Sequence, residues 1–253
     1  MDDLLRASNT MTSIAERSRS IVAIIPARGG SKGIKDKNLV PVLGKPLIAH
    51  TIEVAKASPE IERVVVTTDS PRIAEVARDF GAEVPFLRPS ELATDDAPGR
   101  EVWKHAIDWF EREENYRPRL TMCLQPTSPL RTAADLSSAI SLHWERAADW
   151  VISVCKTKAP SIWLTTVESD GRIPGYEDAE LKLTQRQAIS DMYLPNGAIF
   201  LADREVLMTS NRLYTERTFA YVMPPERSID IDSPWELKLV SLLMGSGTNV
   251  RHS

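Results

Sequence analysis

Residues Ile21–Asn38 read IVAIIPARGGSKGIKDKN. Five consecutive apolar residues end at Pro26, and the loop behind them carries three glycines, one arginine and three lysines. In a strand, alternate side chains point to opposite faces, so a run that is apolar at every position suits a strand covered on both sides. Three more such runs follow: RVVVTT at 63–68, LTMCL at 120–124 and WVISVC at 150–155. Helix punctuation fills the intervals. Pro46 is expected at the first helical position ahead of Leu47, Ile48, Ile52 and Ala55, Ser70 caps a helix opened by Pro71, and Thr132 with Asp135 fits a capping box. This alternation predicts an α/β fold with a mostly parallel sheet flanked by helices, Rossmann-like, with ligands bound outside the carboxyl ends of the strands.

Beyond Cys155 the rhythm breaks into a stretch rich in turn formers, KTKAPSIWLTTVESDGRIPGYEDAELKLTQRQAISDMYLPNG. An insertion is expected over 156–195, of the kind that forms a dimerisation arm or a lid. Strands resume with AIFLA at 198–202 and FAYVM at 219–223, and a helix from Pro234 to about Leu243 closes the chain. The organisation is therefore an N-terminal extension over 1–20 that frays, an α/β nucleotide-binding core over 21–155, the insertion, and completion of the core over 196–245.

The 253 residues are 42% hydrophobic and 26% charged, the balance of an ordinary globular chain. No apolar run approaches the roughly 18 residues of a membrane span, and the N-terminus lacks the apolar stretch of a signal peptide, so the expected location is the cytoplasm, with no membrane partner. A net charge of −4 argues against a nucleic-acid partner. Cys123 and Cys155 sit in apolar runs without metal-ligand spacing and read as small hydrophobes, and the four histidines share no ligand spacing. Local charge differs from the global balance. Between Pro26 and Pro46, Arg28, Lys32, Lys35, Lys37 and Lys45 stand against Asp36 alone. Glycines let backbone amides approach a ligand closely, and Arg28 and Lys32 add charge-assisted hydrogen bonds, which suits phosphate oxygens. Neither GxxxxGK[ST] nor GxGxxG is present.

A second stretch, SIDIDSPWEL at 228–237, supplies the opposite charge. If extended, it directs Asp230 and Asp232 one way and Ile229 and Ile231 into the core. Ser233, Pro234 and Glu236 then open a helix by a capping box, and its N-terminal dipole favours ionised acids beside it. Two hard oxygen ligands suit Mg²⁺, which takes its remaining ligands from water and phosphate.

The segments IPARGGSKGIKDKNL, LRPSELATDD, LQPTSPLR, PNGAIF and SIDIDSPWEL, in this order, resemble the acylneuraminate cytidylyltransferases, the CMP-sialic acid synthetase family, over about Ile21–Leu243. The resemblance implies a nucleotidyltransferase fold, a homodimer formed partly by an inserted arm, and Mg²⁺-dependent reaction of CTP with an acidic nine-carbon sugar to give the CMP-sugar and pyrophosphate. It places Ala27, Arg28, Ser31, Lys32, Lys37 and Asn38 around the triphosphate and ribose, and Arg88 at the cytosine end. Arg28, Lys32, Asp230 and Asp232 become the catalytic candidates, the two aspartates holding the metal. It assigns Gln125, Arg186 and Asn196 to the sugar, with Arg186 facing its carboxylate; Thr127 and Ser128, after an apolar strand where ligands gather, are sugar candidates or turn formers, and Tyr214 is expected to offer apolar contact to a sugar substituent from the partner subunit. Leu194 stands where many sialic-acid members carry arginine, which leaves the choice of nonulosonic acid open, legionaminic-type acids included. A nucleotidyltransferase acting on a sugar 1-phosphate and a non-catalytic nucleotide-binding protein are the rival readings.

Overall fold

A computed structural model describes residues 20–31, 33–157, 167, 169–170, 172 and 191–246. Strands over these residues are β1 (Ile21–Pro26), β2 (Pro41–Val42), β3 (Lys45–Pro46), β4 (Arg63–Thr67), β5 (Leu120–Cys123), β6 (Trp150–Lys156), β7 (Tyr193–Asp203) and β8 (Thr218–Met223). The helices are α1 (Leu47–Lys56), α2 (Pro71–Asp79), α3 (Gly99–Glu114), α4 (Ala133–Arg146), α5 (Arg204–Thr209) and α6 (Pro234–Gly245). One six-stranded sheet runs β4-β1-β5-β7-β6-β8, with β7 antiparallel to both its neighbours and the pairs β1/β4, β1/β5 and β6/β8 parallel.

The continuous apolar runs are used on both faces, as their pattern requires. Ile21, Ala23 and Ile25 pack with α1, α2 and α4 through Ile48, Ile52, Ile73, Leu136 and Ile140, whereas Val22 and Ile24 pack with α3 through Trp103, Ile107 and Phe110. The mostly parallel α/β sandwich is thus as expected, and no helix among the described residues is long and apolar enough to cross a membrane.

The caps at Ser70 and Thr132 form as read, the Ser70 hydroxyl accepting the Ile73 N–H and Thr132 exchanging bonds with Asp135. Pro46 instead precedes α1 in an extended conformation and pairs with Pro41 in the β2–β3 hairpin. That hairpin carries no Asn-Gly signal; Leu43 and Gly44 both take positive φ, 47° and 80°, which is the twist a tight hairpin requires. Helix α3 was not anticipated either, because Pro98 precedes it without a side-chain cap. Ser20 is buried, and its carbonyl and hydroxyl both accept the Arg119 N–H.

The expected strand at 198–202 is the second half of an eleven-residue strand broken by a bulge. Pairing with β6 jumps from Ile152↔Phe200 to Val154↔Pro195, so Asn196–Ile199 bow out opposite Ser153. Asn196–Gly197, a turn signal in sequence, makes this bulge, with Gly197 at φ 73°. Ser153 Oγ lies 2.6 Å from Asn196 Oδ1 and accepts the Ile199 N–H at 2.7 Å. Beneath it the fully buried Arg131 donates to the carbonyl of Ala198 at 2.5 Å, to that of Gln125 at 3.4 Å and to Thr51 Oγ1 at 2.8 Å. Burial pulls its pKa down to about 10. A Cβ on Gly197 would stand 2.5 Å from Gln125 Oε1. Gly197→Ala is therefore expected to cost about 1–3 kcal/mol in a urea titration, from left-handed strain and the displaced Gln125 together.

Candidate active site

The carboxyl ends of β1 and β5 open into a cavity of about 420 Å³ whose wall includes Pro26, Arg28, Ser31, Gly33, Lys37, Asn38, Arg88, Gln125, Thr127 and Asp232. The basic loop and the acidic segment therefore share one cleft although about 195 residues separate them. Gly33 makes this possible. A Cβ there would lie 2.3 Å from the Asp232 carbonyl oxygen, so only glycine lets the loop sit against that backbone. Lys37 completes the junction, its ammonium donating to the Ile231 carbonyl at 2.8 Å and to Asp232 Oδ1 at 3.1 Å.

Each expected nucleotide residue has a definite position, apart from Lys32, which lies outside the described residues. Arg28 and Ser31 face the cavity, and Arg28 is ion-paired with Asp95 across it. Asn38 is buried at the wall and donates to the Arg28 carbonyl at 3.0 Å, so its amide holds the loop in place. Ala27 is buried, closes the sheet ladder through its N–H to the Thr67 carbonyl at 3.0 Å, and is not part of the wall. Arg88 is buried yet borders the cavity, and its guanidinium donates to the carbonyls of Thr67 at 2.8 Å and Leu92 at 3.2 Å. Burial lowers its pKa, with Asp69 acting in the opposite sense and Arg28 in the same one. Of the sequence's cationic cluster, Lys45 turns away to pair with Glu53 on α1, and Lys35 is exposed and off the wall.

Asp230 and Asp232 do not share an environment, contrary to the extended-strand reading. Asp232 has a largely exposed side chain on the nucleotide cavity. Asp230 is half-buried and borders a second cavity of about 260 Å³ with Asn196, Ser228, Lys156 and Leu194. Ile231 between them is fully buried and donates its N–H to the Thr127 carbonyl at 2.9 Å, so the segment crosses the rim between the two spaces. The expected capping box of Ser233 and Glu236 forms. The helix dipole does not dominate at Asp230, however: burial pushes its carboxyl up, opposed by a hydrogen bond from Thr127 and reinforced by the Asp232 charge. One oxygen, Oδ1, is buried without a partner among the described residues.

At the other end, Gln125 and Thr127 line the nucleotide cavity, but Ser128 is fully buried and its hydroxyl donates to the Asn196 carbonyl at 3.4 Å. Asn196 is likewise buried, its amide nitrogen donating to Ser228 Oγ at 2.9 Å. Tyr214 is exposed and lines none of these cavities, while Leu213 lines a third, apolar one of about 200 Å³ with Trp103, Cys123, Trp150 and Phe200. Gln125 borders both this and the nucleotide cavity. Arg186 lies outside the described residues. The sequence reading passed over Asp95 and Asp69, whose carboxylate accepts the Gly29 N–H at 2.9 Å. Asp69 directly follows the apolar run of β4, where ligand sites gather, and that place was the available signal.

A mixed sheet with a cation-lined cleft at its carboxyl ends, closed by an acidic segment before the last helix, defines an α/β nucleotidyltransferase fold. A family model described as cytidylyltransferase matches residues 22–221, and the chain belongs to that family. N-acylneuraminate cytidylyltransferase of Escherichia coli is 36% identical over 220 residues, covering 87% of this chain and 51% of that protein. CMP-N,N'-diacetyllegionaminic acid synthase of Legionella pneumophila is 34% identical over 228 residues, covering 88% and 96%. The chain thus spans about half the length of the first relative and nearly all of the second. Among solved structures, CMP:2-keto-3-deoxy-manno-octonic acid synthetase complexed with CTP superposes with a TM-score of 0.67 at 19% identity, over 90% of this chain and 100% of that one.

Gly33→Ala is expected to lower the unfolding free energy by about 1–3 kcal/mol, since the loop must lift from the Asp232 backbone. Gly30→Ala, whose added carbon meets nothing within 4 Å, is the matched control and is expected to be neutral or slightly stabilising in the same thermal melts.

Proposed function

We propose that this chain transfers a cytidylyl group from CTP to a nonulosonic, 2-keto-3-deoxy acid sugar, giving the CMP-sugar and pyrophosphate. One observation carries the reading: Arg28, Lys37 and Asp232 face a single cavity, and Gly33 presses the cationic loop onto the acidic segment. The names of the full-length Legionella relative and of the CTP-bound structural neighbour point the same way.

Within the cavity, Arg28 and Lys37 meet the triphosphate, Lys32 is assigned to it on sequence grounds alone, and the amides of Gly30 and Ser31 add donors that need no reorganisation as charge moves onto the leaving pyrophosphate. Asn38 keeps the Arg28 backbone in register, and Arg88 fixes the wall at the base end. Asp232 on the nucleotide cavity and Asp230 across the Ile231 rim each offer a hard carboxylate of the kind Mg²⁺ takes, and Asp230 Oδ1 is a buried acceptor without a partner among the described residues. Bound there, the ion supplies charge neutralisation at the α-phosphate and eases ionisation of the attacking hydroxyl. Gln125 borders both the nucleotide cavity and the apolar one, which makes Leu213, Phe200 and Cys123 the surface for an apolar substituent of the sugar. Arg186 is assigned to the acceptor carboxylate on sequence grounds alone.

The chain acts as a cytoplasmic homodimer in this reading; Tyr193 and Leu194 at the start of β7 and Val222 on the edge strand β8 are exposed apolar side chains that a partner subunit would cover. Sedimentation velocity is expected to give a dimer.

Pyrophosphate release, measured with each nucleoside triphosphate against a panel of nonulosonic acids, is expected with CTP and at least one such acid. Release with UTP or GTP and a hexose 1-phosphate would establish the sugar 1-phosphate reading, and silence across all pairs a non-catalytic protein. Asp232→Ala is expected to lower kcat at least about 100-fold; wild-type turnover at saturating Mg²⁺ would remove the metal assignment.

A further inference from the structure

The corner at the carboxyl end of β4, Thr67–Ser70, holds Arg88 of the cavity wall and the backbone of Ala27 and Gly29 on either side of Arg28. The Thr67 carbonyl accepts the Ala27 N–H at 3.0 Å and the Arg88 guanidinium at 2.8 Å, and the Thr68 carbonyl accepts the Arg88 N–H at 2.8 Å. Asp69 Oδ1 accepts the Gly29 N–H at 2.9 Å from a residue forty positions away. The loop lies directly on this corner: a Cβ on Gly29 would meet Ser70 Cβ at 3.2 Å and Asp69 Oδ2 at 3.5 Å. The corner is itself fixed, since the Ser70 N–H donates to Thr68 Oγ1 at 3.1 Å and the Ser70 hydroxyl caps α2.

We infer that Asp69 is the positioning residue of the glycine loop, setting through the Gly29 N–H the conformation that receives the nucleotide's phosphates. Asp69 is not part of the cavity wall, so it acts through Gly29. A carboxylate behind a polyanion site is unfavourable to the ligand by charge alone. Its presence is accounted for by the bond it accepts: a hydrogen bond to a carboxylate is about twice as strong as a neutral one and orients an amide that glycine leaves otherwise unrestrained. The neighbouring Arg88 guanidinium offsets the charge, the same carboxylate supporting its ionised form.

The inference rests on the nucleotide reading of the cavity, and the test separates the two. CTP binding is measured by titration calorimetry for the wild type, Asp69→Ala and Asp69→Asn, with amide hydrogen exchange read at Gly29 and thermal melts run in parallel. Asp69→Ala is expected to weaken CTP binding about tenfold or more and to speed Gly29 exchange. Its KM for the acceptor sugar is expected to stay at the wild-type value. Asp69→Asn keeps the acceptor oxygen and is expected to bind CTP within about threefold of the wild type, as loss of the bond is avoided. Wild-type CTP affinity in Asp69→Ala, an Asn variant as weak as the Ala variant, or equal losses for CTP and sugar with a lowered melting temperature would each overturn the positioning role. Failure of the wild type to bind CTP would overturn the function reading itself, and the positioning role with it.

Discussion

The site depends on a contact in which one atom's worth of space decides the outcome, that of Gly33 against the Asp232 carbonyl. The sheet brings the loop after β1 and the segment before α6 to the same edge, but sheet geometry alone leaves a gap the width of a side chain. Removing the Cβ closes that gap, and the two bonds of the Lys37 ammonium then tie the loop to both Ile231 and Asp232. A cation placed by a backbone carbonyl as well as a carboxylate keeps its position when the carboxylate takes another partner. This makes Lys37 a fixed charge of the cavity.

Charge within the cleft is more evenly matched than the sequence suggests. Five cations against one acid in Pro26–Pro46 read as a strongly positive field, yet Arg28 is met by Asp95, Lys37 by Asp232 and Lys45 by Glu53. All three acids come from outside that stretch. A phosphate entering such a site exchanges one anionic partner of Arg28 for another, so the net gain is smaller than the bare Coulomb term, and the geometry of the guanidinium is set before the ligand arrives. The order of the loop is therefore worth as much as its charge.

The α/β sandwich was legible because the continuous apolar runs of β1, β4, β5 and β6 admit few other solutions, and the caps at Ser70, Thr132 and Ser233 announce themselves through short-range bonds. The grouping of Arg28, Ser31, Lys37, Asn38, Arg88, Gln125, Thr127 and Asp232 around one cavity follows from the order of their motifs. What was illegible arises from tertiary contacts. Ser128 and Asn196 carry no sequence signal of their burial or of their bonds within the protein, which arise because the β7 bulge packs on the loop after β5, and Asn196 still borders the second cavity. Asp230 and Asp232 alternate as a strand would have them, but the buried Ile231 pins the rim, and burial raises one carboxyl while the other stays in solvent. The place of Asp69 after β4 was visible, but its bond was not, since Gly29 is forty residues away.

The bulge also explains why an arginine lies in the core. A regular β7 would direct its carbonyls into the ladder with β6, but bowing out at Asn196–Ile199 releases the Ala198 carbonyl into the buried interior, where one guanidinium also reaches the carbonyl of Gln125. Each buried carbonyl left unpaired costs about 1–3 kcal/mol. A guanidinium offers five donors in one plane, and Arg131 uses them on Ala198, Gln125 and Thr51 together. Burying that charge is costly and is offset only while all three acceptors stay in place. The strand irregularity, the buried cation and the Gln125 backbone at the junction of two cavities are thus joined through the bonds of one guanidinium.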